Sequence, residues 1–160
     1  MIFMPRPDLD QIKWARAQQK WIRRRGEAID LLTRIESLLD TILISGFIKP
    51  EYQPRFYGIL IWEDFRLSTK VRLFRQIDLP EELQAKQKGI ARTLEEKLLP
   101  TRNRFAHRQS VILTHKGVTV ASLIDKGYKL SEITDKDFKA FRKECGRVTR
   151  MLQDVLLSLL

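Results

Sequence analysis

The chain has 160 residues, 43% hydrophobic and 31% charged, with 30 Lys and Arg against 20 Asp and Glu and a formal charge of +10 at pH 7. That is enough apolar sequence for one sizeable core, and seven Gly and six Pro with no repeat or Ser- or Gly-rich run indicate neither a flexible linker nor a disordered tail, so one domain over residues 1–160 is expected. The longest apolar runs, Tyr57 to Trp62 and Val155 to Leu160, are too short to span a bilayer, and the N-terminus lacks a signal-peptide pattern. The expectation is a cytoplasmic protein with no membrane role whose basic surplus attracts phosphate-bearing partners.

From Pro7 to about Ser45 the pattern predicts one long helix, opened by Pro7 and Asp8 and closed by Gly46 before Pro50. Trp14, Trp21, Ala28, Ile35 and Ile42 recur every seven residues, joined by Ile29, Leu32 and Leu39, which is the stripe a bundle helix buries. The basic run Lys20, Arg23, Arg24 and Arg25 interrupts it beside Gly26, where the helix could bend, and reads as a solvated face. Two apolar stretches follow, "FYGILIWEDF" and "STKVRLFRQI"; the second predicts a helix capped by Ser68 with Val71, Leu73, Phe74 and Ile77 facing inward.

Pro80, with Glu81 and Glu82 in the first turn, opens another helix expected to reach about Leu99. Pro100 then breaks or kinks it, and Thr101 is placed to cap a fresh helical turn, "TRNRFAH". From Val111 to Thr134 the pieces "VILTH", "VTVASLI" and "YKLSEI", punctuated by Gly117 and Gly127, suggest a small β-hairpin. The last helix starts at Thr134 with Asp137 as a capping-box acid, and Phe138, Phe141, Cys145, Val148, Leu152, Val155 and Leu159 form its seam. The single Cys145 fits neither a disulfide nor a metal spacing and belongs to that core seam. The fold class is therefore all-α, an up-and-down bundle of four to five helices with a small β-hairpin inserted between the "TRNRFAH" helix and the last one.

No zinc spacing, Walker A loop, dinucleotide-binding Gly pattern or GxSxG is present, which argues against metal or nucleotide-cofactor chemistry. Two histidines exist, His107 and His115. On a helix, Asn103 and His107 share one face, with Arg102 about 140° round from His107. An imidazole that can exchange a proton near neutral pH, a guanidinium that holds a phosphate and an amide that orients either are the parts of metal-free RNA cleavage. A base would activate the ribose 2′-hydroxyl for attack on its own phosphodiester while positive charge stabilises the developing oxyanion.

The run "RNRFAH", Arg102 to His107, resembles the Arg-x4-6-His motif of HEPN domains in the form where Asn follows Arg. The resemblance covers the helical order from about Leu67 onward. It implies a helical bundle, a homodimer that brings two motifs into one cleft, and a metal-independent endoribonuclease with no cofactor, of the toxin or antiviral-defence type, with RNA as substrate and an antitoxin protein as a possible partner. Carried over by position, Arg102, Asn103 and His107 are the catalytic residues, with Arg104 and Arg108 in reach of substrate. Arg108 and His115 match the same spacing without the Asn and fall where the chain turns into β structure. Gln109 stands where toxins of this family paired with a nucleotidyltransferase often carry a modifiable Tyr, so that mode of control is not implied. "LSTKVRLFRQI" is similar to the corresponding helix of a mannitol-repressor-like branch, which implies a second expectation: a non-catalytic module that binds nucleic acid or a partner protein.

Overall fold

A computed structural model describes the backbone of residues 9–56, 66–107, 110–115, 118–124, 130–132 and 134–160, and the side chains of residues 11–56, 66–105 and 134–160. Helix α1, Leu9–Phe47, is a 39-residue spine about 58 Å long. Trp21, Ala28, Ile35 and Ile42 are buried at the expected heptad interval, with Leu32, Leu39 and Leu43 beside them. Two members of the expected stripe are not: Trp14 is 46% and Ile29 43% exposed. Trp14 stands nearly two turns ahead of Trp21, the first buried residue among the described side chains of the helix, and Ile29 lies about 100° round from the buried Ala28. The helix runs on through Gly26, whose surroundings are open, with Trp21 and Ala28 buried on either side of it.

Nor does Gly46 stop α1, which continues through Phe47. Its role is steric. A Cβ there would come within 2.9 Å of Ile77 Cγ2, so glycine lets the end of α1 pack against the turn that follows α2. A 3-10 turn at Pro50–Tyr52 follows α1. Of "FYGILIWEDF", all but the partly exposed Phe56 lies outside the described residues.

Helix α2, Leu67–Phe74, starts two residues earlier than the Ser68 cap implied. The carbonyl of Arg66 accepts from the Thr69 and Lys70 amides, so Arg66 occupies the N-cap position and Ser68 is already inside the helix. Leu67, Lys70, Val71 and Phe74 are buried, as is Ile77 just beyond. The carbonyls left over at its C-terminal end are satisfied from α3, Glu81–Thr93: the buried Gln87 amide donates to Phe74 O at 2.6 Å and to Ile77 O at 3.0 Å.

After Thr93 the helix neither ends nor breaks. Leu94–Leu98 form a π turn, and α4, Leu99–His107, follows without interruption. Of the break or kink expected at Pro100, the break does not occur. A proline inside an α-helix has no N–H for the carbonyl four residues back and its ring collides with that carbonyl. A widened turn placed one turn upstream takes up the misfit and lets the helix carry on. Thr101 accordingly caps nothing; its hydroxyl donates to Lys97 O at 2.8 Å as a mid-helix residue does.

Between α4 and the last helix run β1, Ser110–His115, β2, Val118–Ile124, and β3, Leu130–Glu132. They are antiparallel in the order β1-β2-β3, with register from Ser110 opposite Leu123 to His115 opposite Val118, and from Ser122 opposite Glu132 to Ile124 opposite Leu130. Helix α5, Asp135–Leu159, opens with a complete capping box: the Thr134 hydroxyl accepts from the Asp137 amide, and the Asp137 carboxylate accepts from the Thr134 amide. Phe138, Phe141, Cys145, Val148, Leu152 and Val155 are buried along one seam and pack chiefly on α1. The helices form a bundle around one apolar cluster drawn from all five.

A buried ion cluster ties α1 to α2. Lys70 Nζ lies 2.9 Å from each carboxylate oxygen of Asp40 and 3.0 Å from Glu36 Oε1, and the Lys70 and Asp40 side chains are 6% and 7% exposed. Burial pushes the Asp40 carboxyl above its usual range despite Lys70. Burial alone would lower Lys70, but hydrogen bonds to Asp40 and Glu36 outweigh it and the ammonium is held above the ordinary lysine value.

Candidate functional site

Helix α4 carries the "RNRFAH" residues, and one side chain fixes how it sits. Phe105, 1% exposed, stacks on Trp21 of α1 with ring centroids 5.4 Å apart, meets Phe138 edge-on at 5.9 Å and lies 6.0 Å from Phe141. Such a four-ring cluster joins α1, α4 and α5, and aromatic pairs of this geometry contribute about 0.5–1.5 kcal/mol each beyond the area they bury. With Phe105 turned inward, 100° per residue sets Asn103 on the opposite face, where it is exposed, and leaves Arg102 and Arg104 half-buried on the flanks.

The backbone of His107 is the last residue of α4, one turn on from Asn103, so the two positions share a helix face. The His107 side chain and the whole of Arg108 lie outside the described residues. His115 is in β1, on a different element from α4, so the alternative Arg108–His115 spacing does not fall on one helix. The Asp137 carboxyl is held below its usual range first by hydrogen bonds from the Thr134 hydroxyl and amide, and further by the Arg104 charge.

Among the described residues no group of three or more His, Cys, Asp and Glu is arranged to hold a metal ion. Cys145 is fully buried, and burial pushes its thiol up to about 12, so it is protonated at neutral pH and offers no nucleophile. No helix among the described residues is long and apolar enough to cross a membrane.

Two features went unread in the sequence. One is the Lys70 cluster, whose trace was Glu36 and Asp40 four apart beside the apolar stripe. The other is an open groove of about 350 Å³ beside the same aromatic cluster, walled by Arg16, Lys20, Arg23 and Arg24 of α1 and by Phe138 of α5. The run of basic residues was visible, but Arg16 was not part of it, and Arg25 lies on the opposite side of α1; Arg16, Lys20 and Arg23 share the groove side through their spacing of four and three residues.

Compared with protein-family models, curated proteins and solved structures, the chain matches none.

Proposed function

We propose that this protein is a metal-independent endoribonuclease of HEPN type, acting as a homodimer in the cytoplasm in a toxin or defence setting. The observation that carries the reading is the anchoring of α4. Phe105 locks the helix into the aromatic cluster and thereby holds Asn103 toward solvent with Arg102 at its side, while the backbone of His107 follows one turn later on the Asn103 face. A rigid helix that bears a guanidinium and an amide at its accessible side, one turn from an imidazole, suits a phosphodiester better than an apolar ligand.

In the proposed reaction His107 takes the proton of a ribose 2′-hydroxyl. The 2′-oxygen bonds to the adjacent phosphorus, the bond to the 5′-oxygen breaks, and a proton returns to that 5′-oxygen, leaving a 2′,3′-cyclic phosphate and a 5′-hydroxyl. Arg102 holds the non-bridging oxygens as charge builds on them, and Asn103 orients the nucleotide. Each chain supplies one such His, so a two-fold pair would provide base and acid together. An antitoxin protein is a partner this reading admits.

The test is incubation of a mixed structured RNA in EDTA with the wild-type protein and with His107→Ala. Cleavage that leaves cyclic-phosphate ends and disappears in the variant is the expected result; equal cleavage by both would sink it. RNA bound but uncut by the wild type would instead identify a non-catalytic HEPN-like module resembling the mannitol-repressor branch.

A further inference from the structure

On the flank of α1, Arg16, Lys20, Arg23 and Arg24 line the open groove whose opposite wall is Phe138. Their charges are not equally occupied. Lys20 Nζ lies 2.8 and 2.9 Å from the two carboxylate oxygens of Asp135, at the start of α5, and Arg24 pairs with the same carboxylate. The Arg24 guanidinium also sits over the Phe138 ring, 5.5 Å from its centre. Glu27, the groove's own acid, is taken up by Arg142 at 2.7 Å. Arg16 and Arg23 are exposed, and neither has a carboxylate partner among the described residues. Two arginine positions without a carboxylate partner among the described residues are therefore about 10 Å apart along the helix axis. Between them one carboxylate bridges two further cations, as a phosphate could.

We propose that this groove seats the sugar–phosphate backbone of single-stranded RNA, at a site separate from the His107 helix. The choice of RNA rests on the ribonuclease reading above; the choice of a phosphodiester chain rests on the groove itself. Cations repeated along one line match a polymer of regularly spaced charges better than a small anion. A membrane surface fits less well. An interfacial helix carries its Lys and Arg beside an apolar face, whereas the exposed Ile22 and Ile29 of α1 lie roughly 120° round from Arg16 and Arg23. A strand, unlike a stiff duplex, can also turn its backbone into line for attack by the 2′-oxygen. Groove and motif helix share a foundation, since Phe138, beneath Arg24, packs on Phe105 of α4. A strand held by α1 would thus lie beside the element that bears Arg102 and Asn103. Asp135 acts as an internal counter-ion that a phosphate displaces.

The experiment measures binding of a fluorescein-labelled oligouridylate by anisotropy, in EDTA and across a salt series. It uses the full chain carrying His107→Ala, so that the probe stays intact whether or not the protein cuts RNA. Arg16→Gln with Arg23→Gln removes two phosphate contacts. It should reduce the steepness of log affinity against log salt by about 1.4, equivalent to about 25-fold weaker binding near 0.1 M if binding converges at 1 M salt. Arg72→Gln with Lys88→Gln makes the same change in net charge elsewhere and should leave binding within about two-fold of the parent. Asp135→Asn, which removes the negative charge that Lys20 and Arg24 share, should tighten binding. Equal loss in the two double variants, no change in the first, or tighter binding of duplex RNA or anionic lipid vesicles than of the single strand would overturn the proposal. The two readings fail separately: an intact protein that binds through the groove without cutting refutes the nuclease alone, and cleavage indifferent to Arg16 and Arg23 refutes the groove alone.

Discussion

Replacing Lys70 by Met tests the energetics of the bundle most sharply. The ammonium is nearly sealed from solvent and is shared by Asp40 at 2.9 Å and Glu36 at 3.0 Å, with Asp40 as deeply buried as Lys70 and Glu36 about one-third open. Methionine fills most of the space but leaves two carboxylates one turn apart on α1 with no counter-charge. Removing one partner of a buried pair costs about 3–5 kcal/mol. In a chain of this length that corresponds to a fall in Tm of roughly 10 °C. The cost must depend on pH, because Asp40 can escape by taking up a proton. Its carboxyl is already raised by burial, and losing Lys70 removes the hydrogen bond and charge that hold it down. A carboxyl raised in the folded state binds more protons there than in the unfolded chain, so stability rises as pH falls through its folded value toward 3.8. Urea denaturation followed by circular dichroism at pH 7 and pH 5 should therefore show a deficit in Lys70→Met that shrinks on acidification. Adding Asp40→Leu should recover much of the loss at pH 7. A deficit under about 1 kcal/mol, or one equal at both pH values, would refute the picture of a sealed, charged cluster.

Phe105→Ala should cost about 3–5 kcal/mol in the same denaturation experiment and abolish any activity of the α4 residues, because the ring supplies the packing that orients them; full stability would mean that α4 is held by something other than the aromatic cluster. Thr134→Ala should cost about 1 kcal/mol through loss of the N-cap. In the wild type, the stabilisation from the lowered Asp137 and Glu144 carboxyls is complete above the ordinary carboxylate range and is lost as pH falls through their folded values. The Thr134 hydroxyl is the foremost cause for Asp137, so the variant should lose less stability on acidification than the wild type; identical acid limbs in a pH series of thermal melts would contradict this.

Helix α5 was legible residue by residue, since its cap is a local reciprocal hydrogen bond and its seam depends only on helical spacing. Most of the α1 stripe was legible for the same reason. Periodicity fixes the face of a helix that can be buried but not how far along it partners extend, so Trp14 continued the pattern past the point where burial begins. Pro100 does not end its helix because the rule for proline assumes a regular α-helix, and the π turn at Leu94–Leu98 suspends that assumption. Lys70 was opaque because lysine is almost never interior unless paired, and its partners lie thirty and more positions earlier on another helix. At the candidate site, the shared face of Asn103 and His107 could be drawn from spacing alone, whereas the inward anchor, Phe105, required knowing which side of α4 meets Trp21 and Phe138.

The pairing of α1 with α5 also sets a clock on biosynthesis. About ninety residues of chain separate Phe47 from Asp135, and a ribosome adds roughly 5–20 residues per second. For about 5–20 s, then, the nascent α1 holds Trp21, Leu32, Ile35, Leu39 and Ile42 without the helix that covers them most extensively. During that interval the stripe is a sticky surface in a crowded cell, and the charges spread along the rest of α1 are what the emerging helix has to keep it in solution until its last partner is made.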